Sequence, residues 1–336
     1  MADIKRDTPF VLVRCMTYNH EMYIEDALKS FVMQKTDFPF VVSIIDDAST
    51  DNNASVITDY LRRVCDADAI NSSTEEYGKV LDATPSNNSN CLMHVVLLNE
   101  NHYCKKSKRP YYIQFEEKAK YIAMCEGDDY WTDPYKLQKQ VDILEADGTL
   151  MACCTDCSVV DKQGVLLKEK RGGVVKDDVG GRYNLRDFFR DNHQYPTLSV
   201  VYRRAHTREV QQKYAHTINA FLGDWTLWIC LLIYGDMYFL NEVTCAYRIN
   251  PTSVTHTVNR VARAKANREI CKSVADILPD EYADIAADLR DTRWVWISLI
   301  FAYKAERRYL GMMGALIMSL IRCPRGLWKI LKDKIK

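Results

Sequence analysis

An α/β fold on a mostly parallel sheet, followed by a helical region, is what this sequence predicts. Through the first 160 residues short apolar, β-prone runs alternate with segments of helical periodicity, the pattern that lays a parallel sheet under helices. Polar and acidic residues recur just after the runs, where open parallel sheets bind ligands. From about Ala262 onward strand signals stop.

Each element has its own signature. Phe10 to Met16 reads as the first strand. Ile24, Ala27, Leu28, Phe31 and Val32 then follow the spacing of an amphipathic helix ending near Gln34. Phe40 to Ile45 is the second strand, and Val56, Ile57, Tyr60, Leu61 and Val64 mark a second helix whose start is signalled by Ser49, Thr50 and Asp51. The Asn-, Ser- and Thr-rich stretch from Asn71 to Asn90 reads as a surface insertion before a third strand, Met93 to Leu98. Tyr121 to Cys125 is a buried strand, Asp133 and Pro134 suit the N-cap and first position of the next helix, and Leu150 to Val160 returns as a strand. Lys162 to Gly181 reads as a loop, either an active-site lid or a solvated connection.

The whole chain bounds its chemistry. At 336 residues it can bury an ample core, and Lys plus Arg equals Asp plus Glu at 45 each, so no global field recruits nucleic acid. No stretch reaches the roughly 18 apolar residues of a membrane span, and the start is too polar for a secretory signal, so the chain reads as cytoplasmic. Most of the twelve cysteines lie in apolar runs and read as core residues; Cys154 and Cys157 form a CxxC without the second ligand pair of a zinc site. Tyr309 to Ile321 is apolar but too short to span, and the stretch from Arg322 to Lys336 is basic, with Trp328, Ile330 and Leu331 interleaved. That tail suits either the inner face of an anionic membrane or a terminal helix with solvated charges.

Three strand ends carry the chemistry. The first offers Thr17, Tyr18, Asn19 and His20, with Glu21 beyond; the second offers Asp46 and Asp47; the third offers Glu126, Asp128 and Asp129. Acids so close together invite a divalent cation, Mn2+ or Mg2+, shared with substrate phosphates, although a solvated acidic loop before a helix has the same composition. An aromatic and a carboxylate at neighbouring strand ends can grip a nucleotide base and ribose. There is no GxGxxG and no GxxxxGK(S/T), so phosphates are not held by a glycine-rich loop.

TYNHEMYIEDALKS, SIIDDASTDN and EGDDYWTDPYKLQKQ, in that order, resemble family 2 glycosyltransferases of the GT-A (Rossmann-like) fold, over roughly residues 8 to 255. The resemblance implies a nucleotide-sugar donor, with UDP expected, a DxD metal site, and inversion at the anomeric carbon. It places Asp46 and Asp47 at the base and ribose, Thr17, Tyr18 and Asn19 beside them, and the DxD at Glu126, Asp128 and Asp129, leaving open which aspartate ligates the metal. Asp224, before Trp225 at the start of an apolar run, resembles the family's catalytic base; it is equally placed to be an N-cap. Ala246 to Ile249 with His256 resembles the segment over the diphosphate, which would give Arg248 and the group Lys105, Lys106, Lys108 and Arg109 a charge-neutralising role and His256 a metal role. Pro196 to Ser199 occupies the place of an acceptor-side strand.

These readings divide the chain into a GT-A domain, residues 1–258, and a helical region, residues 259–336. They imply transfer of a sugar to a glycan or lipid-linked acceptor in surface polysaccharide synthesis, with no nucleic-acid partner. A nucleotidyltransferase acting on a sugar phosphate, or a catalytically degenerate nucleotide-sugar-binding scaffold, are the rival readings.

Overall fold

The computed structural model describes residues 9–103, 115–205, 223–250, 259–291 and 293–322. Two compact units divide the chain, residues 1–207 with 235–250 and residues 208–234 with 251–336. The segment 208–234 thus belongs with the C-terminal helices.

The first unit is one sheet with helices. Its centre is four parallel strands in the order β6 (Tyr121–Met124), β1 (Val11–Thr17), β2 (Phe40–Asp46) and β5 (Cys91–Leu98). These strands are almost wholly buried because helices cover them, which is why their sequences are continuous apolar runs rather than alternating ones. Further strands extend the sheet on both sides. Beyond β5 lies the hairpin β3 (Asn71–Glu75) and β4 (Gly78–Ala83), so the polar stretch expected as a surface insertion is instead the sheet's edge: β3 is exposed throughout, which accounts for its polar sequence. Beyond β6 come β11 (Val201–Arg203), β8 (Leu150–Val160), β12 (Asp236–Arg248) and β10 (Gly181–Tyr183), while β7 (Tyr130–Trp131) pairs with β12 and β9 (Leu166–Lys168) with β8. The expected loop at 162–181 therefore carries a short strand, and Thr197–Ser199 is a single 3-10 turn before β11. An antiparallel pairing opens the extension on each side, β4 on β5 and β11 on β6, and further out β8 and β12 pair in parallel.

The helices α1 (Ile24–Val32), α2 (Asn53–Val64), α3 (Lys136–Ala146) and α4 (Leu185–Arg190) belong to this unit. α1 is a clean case of sequence periodicity becoming packing: Ile24, Ala27, Leu28 and Phe31 are fully buried, and Phe31 meets Trp131 edge-on at 5.0 Å between ring centroids. Two expected helix starts move downstream. α2 begins at Asn53 because Ser49, Thr50 and Asp51 are occupied in a loop described below, and α3 begins at Lys136, with Asp133 accepting the Tyr135 amide at 2.8 Å just before it. The described cysteines are free and buried, as expected for core residues.

The second unit contains α5 (Gly223–Leu232), α6 (Arg260–Ile277), α7 (Ala283–Asp291), α8 (Arg293–Ala305) and α9 (Tyr309–Arg322). The longest of these, α6, is capped by Asn259, whose side chain accepts the Ala262 amide at 2.9 Å. Among the described residues no helix is long and apolar enough to cross a membrane.

Phe31→Ala should cost the first unit about 3–5 kcal/mol, since it empties a fully enclosed aromatic site under Trp131. Chemical denaturation followed by tryptophan fluorescence measures it.

Candidate functional site

Three loops leave the same edge of the parallel centre, from β6, β1 and β2, and backbone bonds carry the strand pairing past the strands themselves. The Asp47 amide donates to the Thr17 carbonyl at 3.0 Å, and the Gly127 amide donates to the Met16 carbonyl at 2.8 Å. Glycine is required at 127 because a Cβ there would stand 2.6 Å from Oγ1 of Thr17. The acidic segment is thereby pressed against the end of β1.

The loops after β1 and β2 are tied to one another by reciprocal side-chain bonds. Asn19, with φ of 55°, donates its amide to Ser49 Oγ at 2.9 Å and accepts the Thr50 amide at 2.8 Å. Glu21 accepts the Asn52 amide at 2.9 Å, while Asp51 accepts the Glu21 amide at 3.0 Å. Ala48 is held at φ of 58°, a left-handed conformation that costs a residue with a Cβ of order 1 kcal/mol and persists only under such constraint. These bonds explain why the Ser, Thr and Asp that resemble a helix start do not begin the helix.

Asp46 and Asp47 are both buried. Asp46 Oδ1 accepts from the amide and hydroxyl of Ser49 and from Asn53 Nδ2 at 3.1 Å. Burial pushes its carboxyl above the usual range, opposed by those donors. Asp47 Oδ1 accepts the His102 amide at 2.6 Å. Thr17 is buried and donates to Asn53 Oδ1 at 3.3 Å, whereas Tyr18 is 44% exposed beside it. Asn53 was not among the expected site residues, and its signal, one Asn following the Asp-rich loop, is too common to single out.

The acidic segment is a turn rather than an extended strand end: the Asp129 amide donates to the Glu126 carbonyl at 3.1 Å. The turn separates the two aspartates. Asp129 is 7% exposed, and its Oδ1 accepts the Arg248 amide at 2.8 Å; burial, then the neighbouring Asp128, push its carboxyl well above the ordinary range. Asp128 keeps a partly open side chain, with Oδ2 3.8 Å from His20 Nε2. Nδ1 of His20 is enclosed without a hydrogen-bond partner among the described residues, and burial lowers the basicity of its ring against the pull of Asp128. His20 joins the site through the close approach of the β1 and β6 loops, which strand-end position suggests but spacing along the chain does not reveal.

Arg248, expected near a diphosphate, is a buried clamp on this turn. Its Nε donates to the Asp128 carbonyl at 2.9 Å, Nη1 to the Lys162 carbonyl at 3.3 Å, and Nη2 to Asp26 on α1 at 2.7 Å. The guanidinium sits over the rings of Tyr23 and Tyr130 at 5.0 and 5.3 Å. Asp224 lies in the second unit, exposed in the first turn of α5, where its Oδ1 accepts the Trp225 amide at 2.7 Å. His256 and the group Lys105, Lys106, Lys108 and Arg109 lie outside the described residues.

Two outcomes follow from these contacts. Arg248→Met should destabilise the first unit by about 3–5 kcal/mol, as removal of one partner from a buried charge network does, with Arg248→Lys recovering part of the loss in denaturant titrations. Asp46→Asn keeps an acceptor oxygen for Ser49 and Asn53 but removes a buried charge. Because the folded carboxyl is raised, the parent loses stability as pH rises from the unfolded value of about 3.9 through the folded one. The variant should therefore melt higher than the parent at neutral pH, with the advantage vanishing near pH 4 in melting curves across pH.

No family model matches the chain. It is 30% identical over 244 residues to uncharacterised proteins of Mycobacterium tuberculosis and Mycobacterium bovis, a match covering 72% of this chain and 59% of each relative. The chain thus spans less than two thirds of the length of these relatives. Among solved structures it resembles Staphylococcus aureus TarS 1-349 in complex with UDP-GlcNAc, with a TM-score of 0.61 and 16% identity over 93% of this chain and 81% of that one. The same protein in complex with UDP superposes with a TM-score of 0.54 and 16% identity, over 84% of this chain and 71% of that one. The chain has the expected α/β architecture, a large central sheet flanked by helices with further helices at the C-terminal end, and it shares that fold with TarS.

Proposed function

We propose that this chain is an inverting, metal-dependent glycosyltransferase using a nucleotide-diphosphate sugar, with UDP as the nucleotide. The observation that carries the reading is the Asp128 carboxylate, partly open on a turn that is held against the end of β1 and by Arg248, while its neighbour Asp129 is buried. Asp128 rather than Asp129 is then the direct metal ligand, with Glu126 beside it, and His256 remains the further candidate from the sequence. Asp129 anchors the turn.

Hard carboxylate oxygens whose charges already disfavour one another suit Mn2+ or Mg2+. Among the described residues no group of three or more His, Cys, Asp and Glu forms a complete cage, so the remaining coordination positions would fall to water and substrate oxygens, as is common for such ions. An ion held there by Asp128 would supply electrostatic neutralisation of diphosphate charge.

The chain's own residues supply the rest. Exposed Tyr18 offers a face for the base, and Asp46 and Asp47, oriented by Ser49, Asn53 and His102, accept from base and ribose. Arg248 acts through the turn it holds. Asp224 takes the proton of an acceptor hydroxyl as the new bond to the anomeric carbon forms and the bond to the diphosphate oxygen breaks on the opposite side. The acceptor is a surface glycan or a lipid-linked intermediate, met on the cytoplasmic face of the membrane.

Calorimetry with a panel of nucleotide sugars, with and without Mn2+, tests the assignment. Asp128→Ala should weaken metal-dependent donor binding by about 100-fold or more while Asp129→Asn spares it. Asp224→Asn should leave donor binding intact and lower turnover by about 10²–10⁴-fold. A protein indifferent to every activated sugar, or an Asp128→Ala variant that binds donor normally, would refute the reading.

A further inference from the structure

The last two helices carry an apolar stripe on their exposed side. α9 turns Ala315 and Ser319 inward, where both are buried. At Gly311 a Cβ would stand 2.7 Å from a ring carbon of Tyr303, so glycine lets α8 and α9 approach closely and holds the pair as a fixed hairpin. The opposite face of α9 presents Leu310 at 91% exposure, Met313 at 53% and Ile317 at 52%, spaced i, i+3, i+7 along one line. Tyr309 and, on α8, Phe301 are also at least half exposed. A helix meant only for water would place charges there.

The charges lie at the ends of the stripe instead. Lys304, Arg307 and Arg308 are exposed just before α9. The helix ends on Arg322, the sequence beyond it continues with Arg325, Lys329, Lys332, Lys334 and Lys336 around Trp328, and residues 307–336 hold a single acid, Asp333. At fourteen residues α9 is too short to cross a bilayer but long enough to lie along one.

We propose that the exposed face of α9, with Phe301, docks on an anionic lipid surface, the helix lying in the plane of the interface with its apolar stripe among the acyl chains and Lys304, Arg307 and Arg308 against the headgroups. A second copy is disfavoured as the occupant, because pairing two stripes would bring the exposed Lys304, Arg307 and Arg308 of both copies together. The proposal goes beyond the donor-site reading and does not depend on it.

Co-sedimentation of the full chain with vesicles tests it. The chain should pellet with phosphatidylcholine vesicles containing phosphatidylglycerol, remain in the supernatant with phosphatidylcholine alone, and lose binding as salt is raised. Leu310→Asp together with Ile317→Asp should weaken vesicle affinity by about tenfold or more, while the melting temperature and the melting shift produced by UDP-sugars stay as in the parent. The proposal fails if the doubly substituted chain pellets as the parent does, or if neither chain binds anionic vesicles. It also fails if the substitutions only convert a dimer to a monomer, which would assign the stripe to a second copy. The UDP-sugar shift is read independently, so none of these outcomes bears on the donor site.

Discussion

The Arg248 clamp is the interaction on which the site depends. One buried guanidinium and its own backbone amide reach both aspartates of the acidic turn, a carbonyl after β8, and Asp26 on α1. Acids crowded at a sheet edge repel one another, and an unsupported turn would relax to separate them. Here the relaxation is prevented by a hydrogen-bond network that takes one carboxylate into the protein and leaves the other partly open. The same fork ties the end of β12, the final strand of the unit, to the first helix, so the turn is held by residues 222 positions apart in sequence.

The loops after β1 and β2 solve a similar problem with neutral donors. Asp46 is buried, and Ser49 and Asn53 spend three donors on one of its oxygens. This raises the cost of any other conformation for the loop and stores strain at Ala48. What results is a preorganised rim in which Tyr18 is exposed and Asp128 partly so, an arrangement suited to meeting a ligand without first reordering the protein.

The second unit follows a different logic. Its helices pack through small residues and aromatics, as at Gly311 and Tyr303, and Leu310, Met313 and Ile317 place exposed apolar side chains on one line. Surface apolar residues occurring singly need no explanation, but a line of them flanked by cations does.

Local periodicity and strand-end chemistry were enough to read the parallel centre, the α1 stripe and the placement of the acids, because burial on one or both faces leaves a pattern in residues close together in the chain. Composition misled where a polar segment had a nonlocal partner: the stretch 71–90 reads as an insertion but pairs with β5 through β4, since an edge hairpin needs only one apolar face. Sequence alone determined that polar groups follow three strands, with carboxylates at the ends of two of them. Only the tertiary structure decided which carboxylate is buried and which is open, that Arg248 grips the turn, and that His20 faces Asp128, because each depends on bonds between segments that meet only after the sheet has formed.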